Sequence, residues 1–395
     1  MRLPILALAL LAAAPAAAHD VVDPADRLLH EQMLVLDTHL DTPMLFEREG
    51  WDFTRWNDYA FDNSQVDIPR MEAGGLDGGF FVIYTRQGGL DAEAMAKARN
   101  DALMRAIAIQ RVVAANPDKL AFATTADDAE RLHKAGKRIV FQSIENSYPL
   151  GNDLSLLPLY HRLGVRMAGP VHSRNNQFGD STTDEPRWNG LSPLGREWVR
   201  EMNRLGMIVD ASHSSDAAFD QMLALSKAPI VLSHSGPKAI FDHKRNIDDE
   251  RMRRLAKAGG VMFINSVFLV PYDSSDERSA VQARQEKWET LSPAERRRLV
   301  ADKAALDAKR PFTTATFDMF MKSMLHSIAV MGVDHVGLGA DWDGGGGVLG
   351  MEDIAALPKI TARLRQEGFS DADIAKIMGG NLLRVMRAVE KAAGR

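Results

Sequence analysis

Eight short runs of apolar and β-branched residues recur along this chain, and polar stretches with helical spacing separate them. Turn-forming residues bound each run, which is the pattern of parallel strands joined by crossover helices. The predicted strands are residues 33–39, 78–85, 138–145, 165–172, 207–213, 229–235, 260–267 and 335–341. The amphipathic stretches that predict helices are residues 91–115, 126–135, 154–163, 193–205, 217–225, 248–258 and 317–331.

Strand–helix units in this number favour a closed (β/α)8 barrel, the TIM barrel, over an open doubly wound sheet. No glycine-rich dinucleotide fingerprint follows the first strand, which argues against a nucleotide-binding open sheet. We expect residues 19–395 to form one distorted barrel. A strongly charged segment, residues 273–310, interrupts the rhythm between the seventh and eighth strands. It is predicted as a solvated helical insertion, with a functional lid as the alternative.

The N-terminus has one basic residue, an apolar run from Leu3 to Ala14 and a small-residue cleavage signature that ends at Ala18. This pattern predicts a signal peptide, residues 1–18, cut near Ala18, so that the mature protein is exported to the periplasm or secreted. A membrane anchor is the alternative, but the apolar run is too short to span a bilayer. No later segment approaches the roughly 20 consecutive apolar residues of a spanning helix, so we expect no stable membrane anchor.

Composition limits both the partners of this protein and the ligands of any metal site. The chain has no cysteine and a formal net charge of -5. Without cysteine no disulfide forms, and a metal site must use histidine and carboxylate ligands. A small negative charge does not favour contacts with phosphate groups, so nucleic acid is not an expected partner.

Polar side chains concentrate at the carboxyl ends of the predicted strands, where barrel enzymes build their active sites. A single histidine at a strand end is more often a hydrogen-bonded structural residue than a ligand. The convergence of four histidines and several carboxylates from six strands on one rim is what predicts a functional site. These residues are His39, Asp41, Glu145, His172, His213, His234, Asp341 and Asp343.

Spacing within and between the strands suggests how these residues divide around metal ions. Residues i and i+2 of a strand face the same side, so His39 and Asp41 can bind one cation together. His213 and His234 follow adjacent parallel strands and can bind a second cation, with Glu145 between the two pairs in a position to bridge. Imidazole and carboxylate without thiolate suit Zn²⁺, with Mn²⁺ or Co²⁺ as alternatives. Two such ions ~3.5–4 Å apart hold a bridging hydroxide and polarise a carbonyl for attack.

Two further acids, Asp37 and Asp210, lie inside the first and fifth predicted strands. Burying a carboxylate without a partner is costly, so each should have a defined role. We expect each either to orient a ligand imidazole from behind or to act as a structural acid beneath the metals.

Eight motifs stand in one order along the chain: "DTHLD" (37–41), "IEN" (144–146), "VH" (171–172), "GLSPLGREWVREMNRLGMIVDASH" (190–213), "LSHS" (232–235), "KRN" (244–246), "GLGADWDG" (337–344) and "GGNLLRVM" (379–386). In sequence and in order these motifs resemble the membrane (renal) dipeptidase family, a branch of the metal-dependent amidohydrolases. The likeness covers nearly all of the mature chain. It implies a distorted barrel and, for its assembly, a homodimer.

The resemblance also implies a binuclear zinc site, with two zinc ions per chain. On this basis His39 and Asp41 bind one zinc ion, His213 and His234 bind the other, and Glu145 bridges the two. The division agrees with the one that strand spacing suggests.

Three more residues acquire roles from the resemblance. It implies that His172 contacts the substrate and the tetrahedral intermediate, that Arg245 binds the terminal carboxylate of the substrate, and that Asp341 transfers protons. This chain departs from the family where a glycine-rich segment often follows the bridging glutamate, because residues 146–148 are Asn-Ser-Tyr. It also has Thr38 where the family commonly has glycine.

The leading hypothesis is an exported dizinc dipeptidase, a metallohydrolase that cleaves the amide of a small dipeptide by means of a metal-bridging hydroxide. The resemblance suggests tolerance for a D-residue at the C-terminal position. One alternative is a related hydrolase that acts on N-acyl amino acids or lactams. The other is a metal-containing binding or maturation protein that has kept the fold without hydrolysis.

Overall fold

The computed structural model describes residues 22–59, 63–285 and 287–394. The predicted signal peptide, residues 1–18, and its cleavage site near Ala18 lie outside the described residues. Within these ranges no helix is both long enough and apolar enough to cross a membrane.

One sheet of parallel strands forms the centre of the molecule. Its strands are β1 Leu36–Leu40, β2 Gly78–Ile83, β3 Leu120–Phe122, β4 Arg138–Ile144, β5 Val165–Ala168, β6 Ile208–Val209, β7 Val231–Ser235, β8 Val261–Ile264 and β9 Val336–Leu338. Their spatial order is β6-β5-β4-β2-β1-β9-β8-β7, with β3 beside β4. A single parallel bridge between Asp210 and Val231 joins the two ends of this order. The predicted distorted (β/α)8 barrel is therefore confirmed.

All eight predicted strands are present, and β3 is an additional one. It is only three residues long and pairs with the beginning of β4 at Arg138. Because so short an apolar run gives no periodic signal, sequence reasoning did not predict it.

Helices connect the strands and surround the barrel. They are α1 Pro24–Gln32, α2 Ile68–Gly74, α3 Ala92–Ala115, α4 Ala126–Lys134, α5 Leu156–Arg162, α6 Pro193–Leu205, α7 Asp216–Leu225, α8 Asp249–Lys257, α9 Asp276–Gln285, α10 Pro293–Lys309, α11 Phe317–Met331, α12 Pro358–Gln366, α13 Asp371–Ala375 and α14 Asn381–Ala392. Several begin at an N-cap that accepts a backbone N–H of the first turn, as Ser215 does at α7 and Asp248 at α8. Ser215 thus ends the loop that contains His213, and Asp248 ends the loop that contains Arg245.

Two large apolar clusters hold the barrel together. The larger one packs helices such as α6 and α11 against strand residues, and includes the fully buried Trp198 and Phe320. The second joins Phe80 and Phe141 of the strands to α14 through residues such as Leu382. The polar residues at the carboxyl ends of the strands are therefore supported by a packed apolar core.

The charged insertion lies between β8 and β9, the seventh and eighth strands of the barrel, and it is helical as predicted. Its two helices, α9 and α10, enclose a small cluster of apolar side chains that includes Trp288 and Leu299. Arg278 is buried at its base, where it pairs with Asp273 and Asp307. The insertion is thus a packed helical hairpin with a buried ionic anchor.

Candidate metal centre

The predicted site residues come together around one carboxylate oxygen. Glu145 follows β4, and its Oε1 lies 3.7 Å from His39 Nε2, 3.4 Å from His172 Nε2, 3.2 Å from His213 Nε2 and 3.7 Å from His234 Nε2. Four imidazole nitrogens around one oxygen is an arrangement that ordinary core packing does not require. It is the arrangement expected of ligands around bound cations.

His39 and Asp41 approach each other, although Asp41 lies outside the regular strand. The strand β1 ends at Leu40, and Asp41 begins a short 3₁₀ turn. Its Oδ2 is nevertheless 3.4 Å from His39 Nε2. The predicted pairing at i and i+2 is therefore present, and the hydrogen bond from Asp41 N to Trp342 O, 2.9 Å long, fixes the turn.

His213 and His234 form the second pair. Their Nε2 atoms are 2.8 Å apart. His213 lies beyond the end of β6, with φ of 65°, a left-handed conformation that is unfavourable for a residue with a side chain. Such strain persists where the surrounding structure imposes it, commonly at functional sites.

Burial and neighbouring charges shift the pKa of His39 and the pKa values of His213 and His234 in opposite directions. Burial and the charge of Asp41 raise the pKa of Glu145 well above its usual value. Burial opposes the charged form of His39, but Asp41 and Glu145 outweigh it and raise the pKa of His39 to about 10. Burial lowers the pKa of His213 and His234 well below the usual value, with help from Arg245. The second pair is thus neutral, which is the state that binds a metal ion.

Two orphaned atoms test whether these residues fit a metal. His39 Nε2 and Asp41 Oδ1 are buried and have no hydrogen-bond partner among the residues that the structure describes. Leaving such atoms unpaired in the interior is unfavourable, and a coordinated cation would satisfy both. In addition, His39, Asp41 and Asp341 offer ligand atoms that all lie within 4.8 Å of one another. The donor set of imidazoles and carboxylates fits zinc.

Asp37 acts on the backbone and not on an imidazole. Its Oδ1 accepts from His39 N at 2.8 Å, and its Oδ2 accepts from Ala340 N at 3.1 Å. It therefore joins the end of β1 to the segment that follows β9. Of the two roles expected for Asp37, the structure supports the structural acid.

Asp210 reaches a ligand histidine through a serine. Its Oδ1 accepts from the backbone N–H groups of Ser212 and Ser233, both at 2.9 Å, and its Oδ2 accepts from Ser233 Oγ at 2.5 Å. Ser233 Oγ lies 2.8 Å from His234 Nδ1. Because the serine proton points to Asp210, the serine oxygen accepts from Nδ1–H and leaves the Nε2 lone pair of His234 free for a metal.

Ser233 was not predicted as a site residue. It precedes His234 in the motif "LSHS", on β7, and Asp210 lies at the end of the neighbouring β6. The hydroxyl of a serine beside a ligand is a weak signal by itself. Only the three-dimensional pairing of β6 with β7 shows that it connects a carboxylate to the imidazole.

Asp343 fastens the loop after β9 to the segment after β1. Its Oδ2 accepts from Thr42 Oγ1 at 2.6 Å and its Oδ1 from Gln65 N at 2.7 Å. Both Asp341 and Asp343 have left-handed backbone conformations, with φ of 67° and 63°. The bonds of Asp343 therefore stabilise the turn in which both residues adopt this unfavourable conformation.

Close approach of two carboxylates requires a glycine directly after Asp343. A Cβ atom on Gly344 would lie 2.1 Å from Asp41 Oδ2 and 2.2 Å from Asp341 Oδ1. No side chain fits there without moving one of these carboxylates.

A cavity of about 550 Å³ opens above the cluster. Predicted residues line much of it, namely Asp41, Glu145, His172, His213, Arg245 and Asp341. Arg245 is 5% exposed, and its Nη2 donates to His234 O at 3.3 Å. Burial lowers the pKa of Arg245 to about 10, against the opposing charges of Asp341 and Glu145, so the guanidinium stays charged.

The unusual residues after Glu145 are not part of this cavity lining. Asn146 donates to Thr85 O at 3.1 Å, Ser147 donates to Gly169 O at 2.8 Å, and Tyr148 donates to Gly89 O at 2.5 Å. All three side chains are buried and join neighbouring loops. The departure from the glycine-rich pattern therefore stabilises the loops around the site instead of forming its wall.

Comparison with known proteins agrees with the motifs. The family described as "Membrane dipeptidase (Peptidase family M19)" matches residues 24–395. Dipeptidase tcpJ of Claviceps purpurea is 34% identical over 334 residues, which are 83% of this chain and 70% of that protein. Dipeptidase aclJ of Aspergillus oryzae is 31% identical over 340 residues, which are 83% of this chain and 71% of that protein.

Solved structures give the same result. The probable dipeptidase PvdM from Pseudomonas aeruginosa superposes with a TM-score of 0.80 at 31% identity, over 93% of this chain and 98% of its own. A metallopeptidase from Rhodobacter sphaeroides, bound to a phosphinate mimic of the dipeptide L-Ala-D-Ala, gives a TM-score of 0.71 at 26% identity, over 90% of this chain and 99% of its own. The chain therefore belongs to the membrane dipeptidase family, Peptidase family M19, whose members are metal-dependent peptidases.

Proposed function

We propose that this protein is an exported dipeptidase with two zinc ions per chain, which hydrolyses dipeptides that have free amino and carboxyl ends. The observation that carries the proposal is the set of four histidine Nε2 atoms within 3.7 Å of one oxygen of Glu145, a residue that lines the same cavity as Arg245. Membership of a dipeptidase family supports the same activity.

Five residues would hold the two zinc ions. His39 and Asp41 would bind one, His213 and His234 would bind the other, and Glu145 would contact both. When bound, zinc supplies Lewis-acid chemistry, because it polarises a carbonyl group and makes water more acidic.

Arg245 would bind the α-carboxylate of the substrate. Its guanidinium is buried at the cavity, and its Nε has no hydrogen-bond partner in the described ranges. A planar guanidinium donates two parallel hydrogen bonds to a carboxylate, which orients the dipeptide as well as binding it. The free carboxyl end of the substrate would thus be the anchor that places the scissile amide over the metal ligands.

His172 would stabilise negative charge on the carbonyl oxygen of the substrate. Burial, with the charge of Arg245, lowers the pKa of His172 to about 4, so the ring is neutral. Its Nδ1 lies 2.8 Å from Ser173 Oγ, and when the serine donates to Nδ1 the ring hydrogen is on Nε2. That N–H can donate to an oxyanion at the cavity side of the ring.

Asp341 would transfer the proton that hydrolysis moves. Burial, together with Asp41, raises the pKa of Asp341 to about 6, while His39 and Arg245 oppose the shift. A carboxyl group with this pKa accepts a proton from the attacking water and returns it to the leaving amine near neutral pH. The hydrogen bonds of Asp343 keep this carboxylate beside the ligands.

The substrates we propose include dipeptides with a D-residue at the C-terminal position. This part of the proposal is supported by the Rhodobacter sphaeroides metallopeptidase, which binds a mimic of L-Ala-D-Ala. It also agrees with a cavity of about 550 Å³, which has room for either configuration.

Zinc content and hydrolysis of a dipeptide panel test the proposal together. We expect two zinc ions per chain and turnover of both L,L and L,D dipeptides. Less than one metal ion per chain would contradict the whole site. Two zinc ions with no turnover of any dipeptide would instead favour a non-hydrolytic metal-binding protein.

One observation favours a second candidate, a hydrolase of N-acyl amino acids or lactams. The acids among the described residues that line the cavity are Asp41, Glu145 and Asp341, and all three already have roles at the metals or in proton transfer. No separate carboxylate in that lining is left to pair with an α-amine. Rates on free and N-acetylated dipeptides distinguish the two candidates, because a preference for the acetylated form would contradict the dipeptidase.

Export after cleavage near Ala18 and assembly as a homodimer complete the proposal. The signal-like pattern at residues 1–18 supports export. Cell fractionation with N-terminal sequencing tests export, and retention of the intact N-terminus in the cytoplasm would contradict it.

Light scattering of the purified protein tests the proposed homodimer. A monomeric mass at all concentrations would contradict it.

A further inference from the structure

His243 is a cavity residue to which none of the roles above has been assigned. It lies in the loop between β7 and α8, two residues before Arg245, and it lines the same cavity. Asn246 N donates to His243 O at 3.0 Å, so residues 243–246 form a turn that places both His243 and Arg245 at the cavity. A turn of this kind gives no periodic signal in the sequence, so His243 was not predicted.

Two phenylalanine rings hold the imidazole of His243 in place. Its ring is nearly parallel to Phe268, at 11° and 4.6 Å between centroids, and nearly parallel to Phe241, at 7° and 5.8 Å. The guanidinium carbon of Arg245 also packs on the Phe268 ring, 5.3 Å from its centroid. One aromatic side chain therefore positions both His243 and Arg245.

The backbone fixes the tautomer of His243. Arg245 N donates to His243 Nδ1 at 3.2 Å, so Nδ1 carries a lone pair and the ring hydrogen is on Nε2. Burial, together with the charges of Arg245 and Lys244, lowers the pKa of His243, which keeps the ring neutral. Since Nδ1 is engaged and Phe241 and Phe268 pack against the ring, the ring edge that carries Nε2–H remains to meet a ligand.

Arg245 alone leaves part of a carboxylate unbound. A carboxylate has two oxygens with about four lone-pair sites, and a bidentate guanidinium uses two of them. A neutral N–H donor beside the guanidinium adds a hydrogen bond without a second buried positive charge to desolvate.

We propose that His243 binds the α-carboxylate of the substrate through Nε2–H, together with Arg245, as a two-residue clamp built on Phe268. This inference rests on the proposed dipeptidase function and adds a residue that recognises its substrate. The clamp makes the enzyme selective for a free carboxyl end over a carboxamide, because an amide NH₂ opposite these donors leaves them unpaired.

The test compares a dipeptide with its C-terminal amide in wild-type enzyme and in His243→Phe, which keeps an aromatic ring between the phenylalanines and removes the donor. For the dipeptide we expect KM to rise about tenfold or more, with kcat changed by less than about threefold, because binding is lost uniformly in ground and transition states. For the amide we expect kcat/KM to fall by less than about threefold. His243→Gln, which restores an N–H donor, should recover part of the KM for the dipeptide.

Each outcome of this comparison either supports the clamp or overturns it. Equal losses on the dipeptide and the amide would mean a structural role and would overturn the clamp, as would an unchanged KM in both variants while wild-type enzyme is active. If His243→Phe does not fold, the KM ratio of dipeptide to amide is compared between His243→Gln and His243→Ala. A different ratio in the two variants supports the clamp, and an equal ratio overturns it. If the zinc-loaded wild type hydrolyses no dipeptide, the proposed function itself is contradicted and the clamp falls with it.

Discussion

The hydroxyl of Thr42 donates a 2.6 Å hydrogen bond to Asp343, and this bond joins the residue after Asp41 to the loop that carries Asp341. The bond thus links the segment that carries a proposed metal ligand to the segment that carries the proposed proton-transfer group. Asp343 is partly buried, and desolvation raises its pKa to about 7. Its interactions with Thr42 and Gln65 are therefore needed to keep a carboxylate in this position.

We predict that Thr42→Val lowers both stability and metal affinity. The change keeps the shape of the side chain but leaves a carboxylate oxygen of Asp343 without a donor, which should cost about 1–3 kcal/mol. Zinc affinity should fall about tenfold, because Asp41 and Asp341 lose their mutual support. Urea unfolding and chelator competition measure the two effects.

Thr54→Val is the matched control, because its hydroxyl donates to Asp52 at an exposed site, 2.7 Å away. The control should leave zinc affinity unchanged. If Thr42→Val behaves like Thr54→Val in both measurements, the bond to Asp343 does not position the site.

Ser233→Ala should weaken zinc binding by about 10–100-fold, the usual effect of removing a group that orients a ligand imidazole. Without the hydroxyl, Asp210 no longer fixes the tautomer of His234. Chelator competition measures the affinity. Ser327→Ala removes a buried helical hydroxyl, which donates to Ser323 O, and serves as the control. Equal zinc affinity in the two variants would show that Ser233 has no role in orienting His234.

Glu145→Gln should lower the occupancy of both metal positions. An amide has a similar shape but supplies only one neutral oxygen, so it cannot bridge two cations as a carboxylate does. Metal analysis of the purified variant by mass spectrometry measures the content per chain. Loss of a single ion would mean that Glu145 belongs to one metal only, and full content would refute bridging.

His30 provides a pH dependence that is independent of the site. It is fully buried between Thr361 Oγ1, at 2.7 Å, and Gly74 O, at 2.9 Å, and burial lowers its pKa from 6.5 to about 4. Because the unfolded chain binds the proton more readily, the stabilisation by neutral His30 is complete above pH 6.5 and is lost as the pH falls towards 4. The loss should be about 3 kcal/mol.

The comparison of wild type with His30→Gln isolates this effect, because glutamine does not titrate. Urea unfolding between pH 4 and 8 should show a difference in the free energy of unfolding that changes between pH 4 and 6.5. Parallel pH curves for the two proteins would contradict a lowered pKa at His30.

The sequence predicts the barrel because each strand is a separate apolar run and each crossover helix has its own periodicity. It also locates His39, Glu145, His213 and His234, because strand ends of a parallel barrel meet at one rim. The sequence does not predict the conformations of the loops that follow the strands. The left-handed backbone conformations of His213 and Asp341 are two examples.

Groups that act through a neighbour are also beyond sequence reasoning. Ser233 and His243 acquire meaning only from contacts with residues distant along the chain or from stacking against Phe268. Asp37 illustrates the same limit, since position alone allowed either an imidazole or a backbone partner, and the structure shows the backbone.

The most direct test of the account is a crystal structure of the zinc-loaded protein with anomalous diffraction measured at the zinc edge. We predict two zinc peaks about 3.5–4 Å apart, with protein ligands at about 2.0–2.2 Å. One ion should contact His39 and Asp41, the other His213 and His234, and Glu145 should contact both. A single peak, or two ions that do not share Glu145, would contradict it.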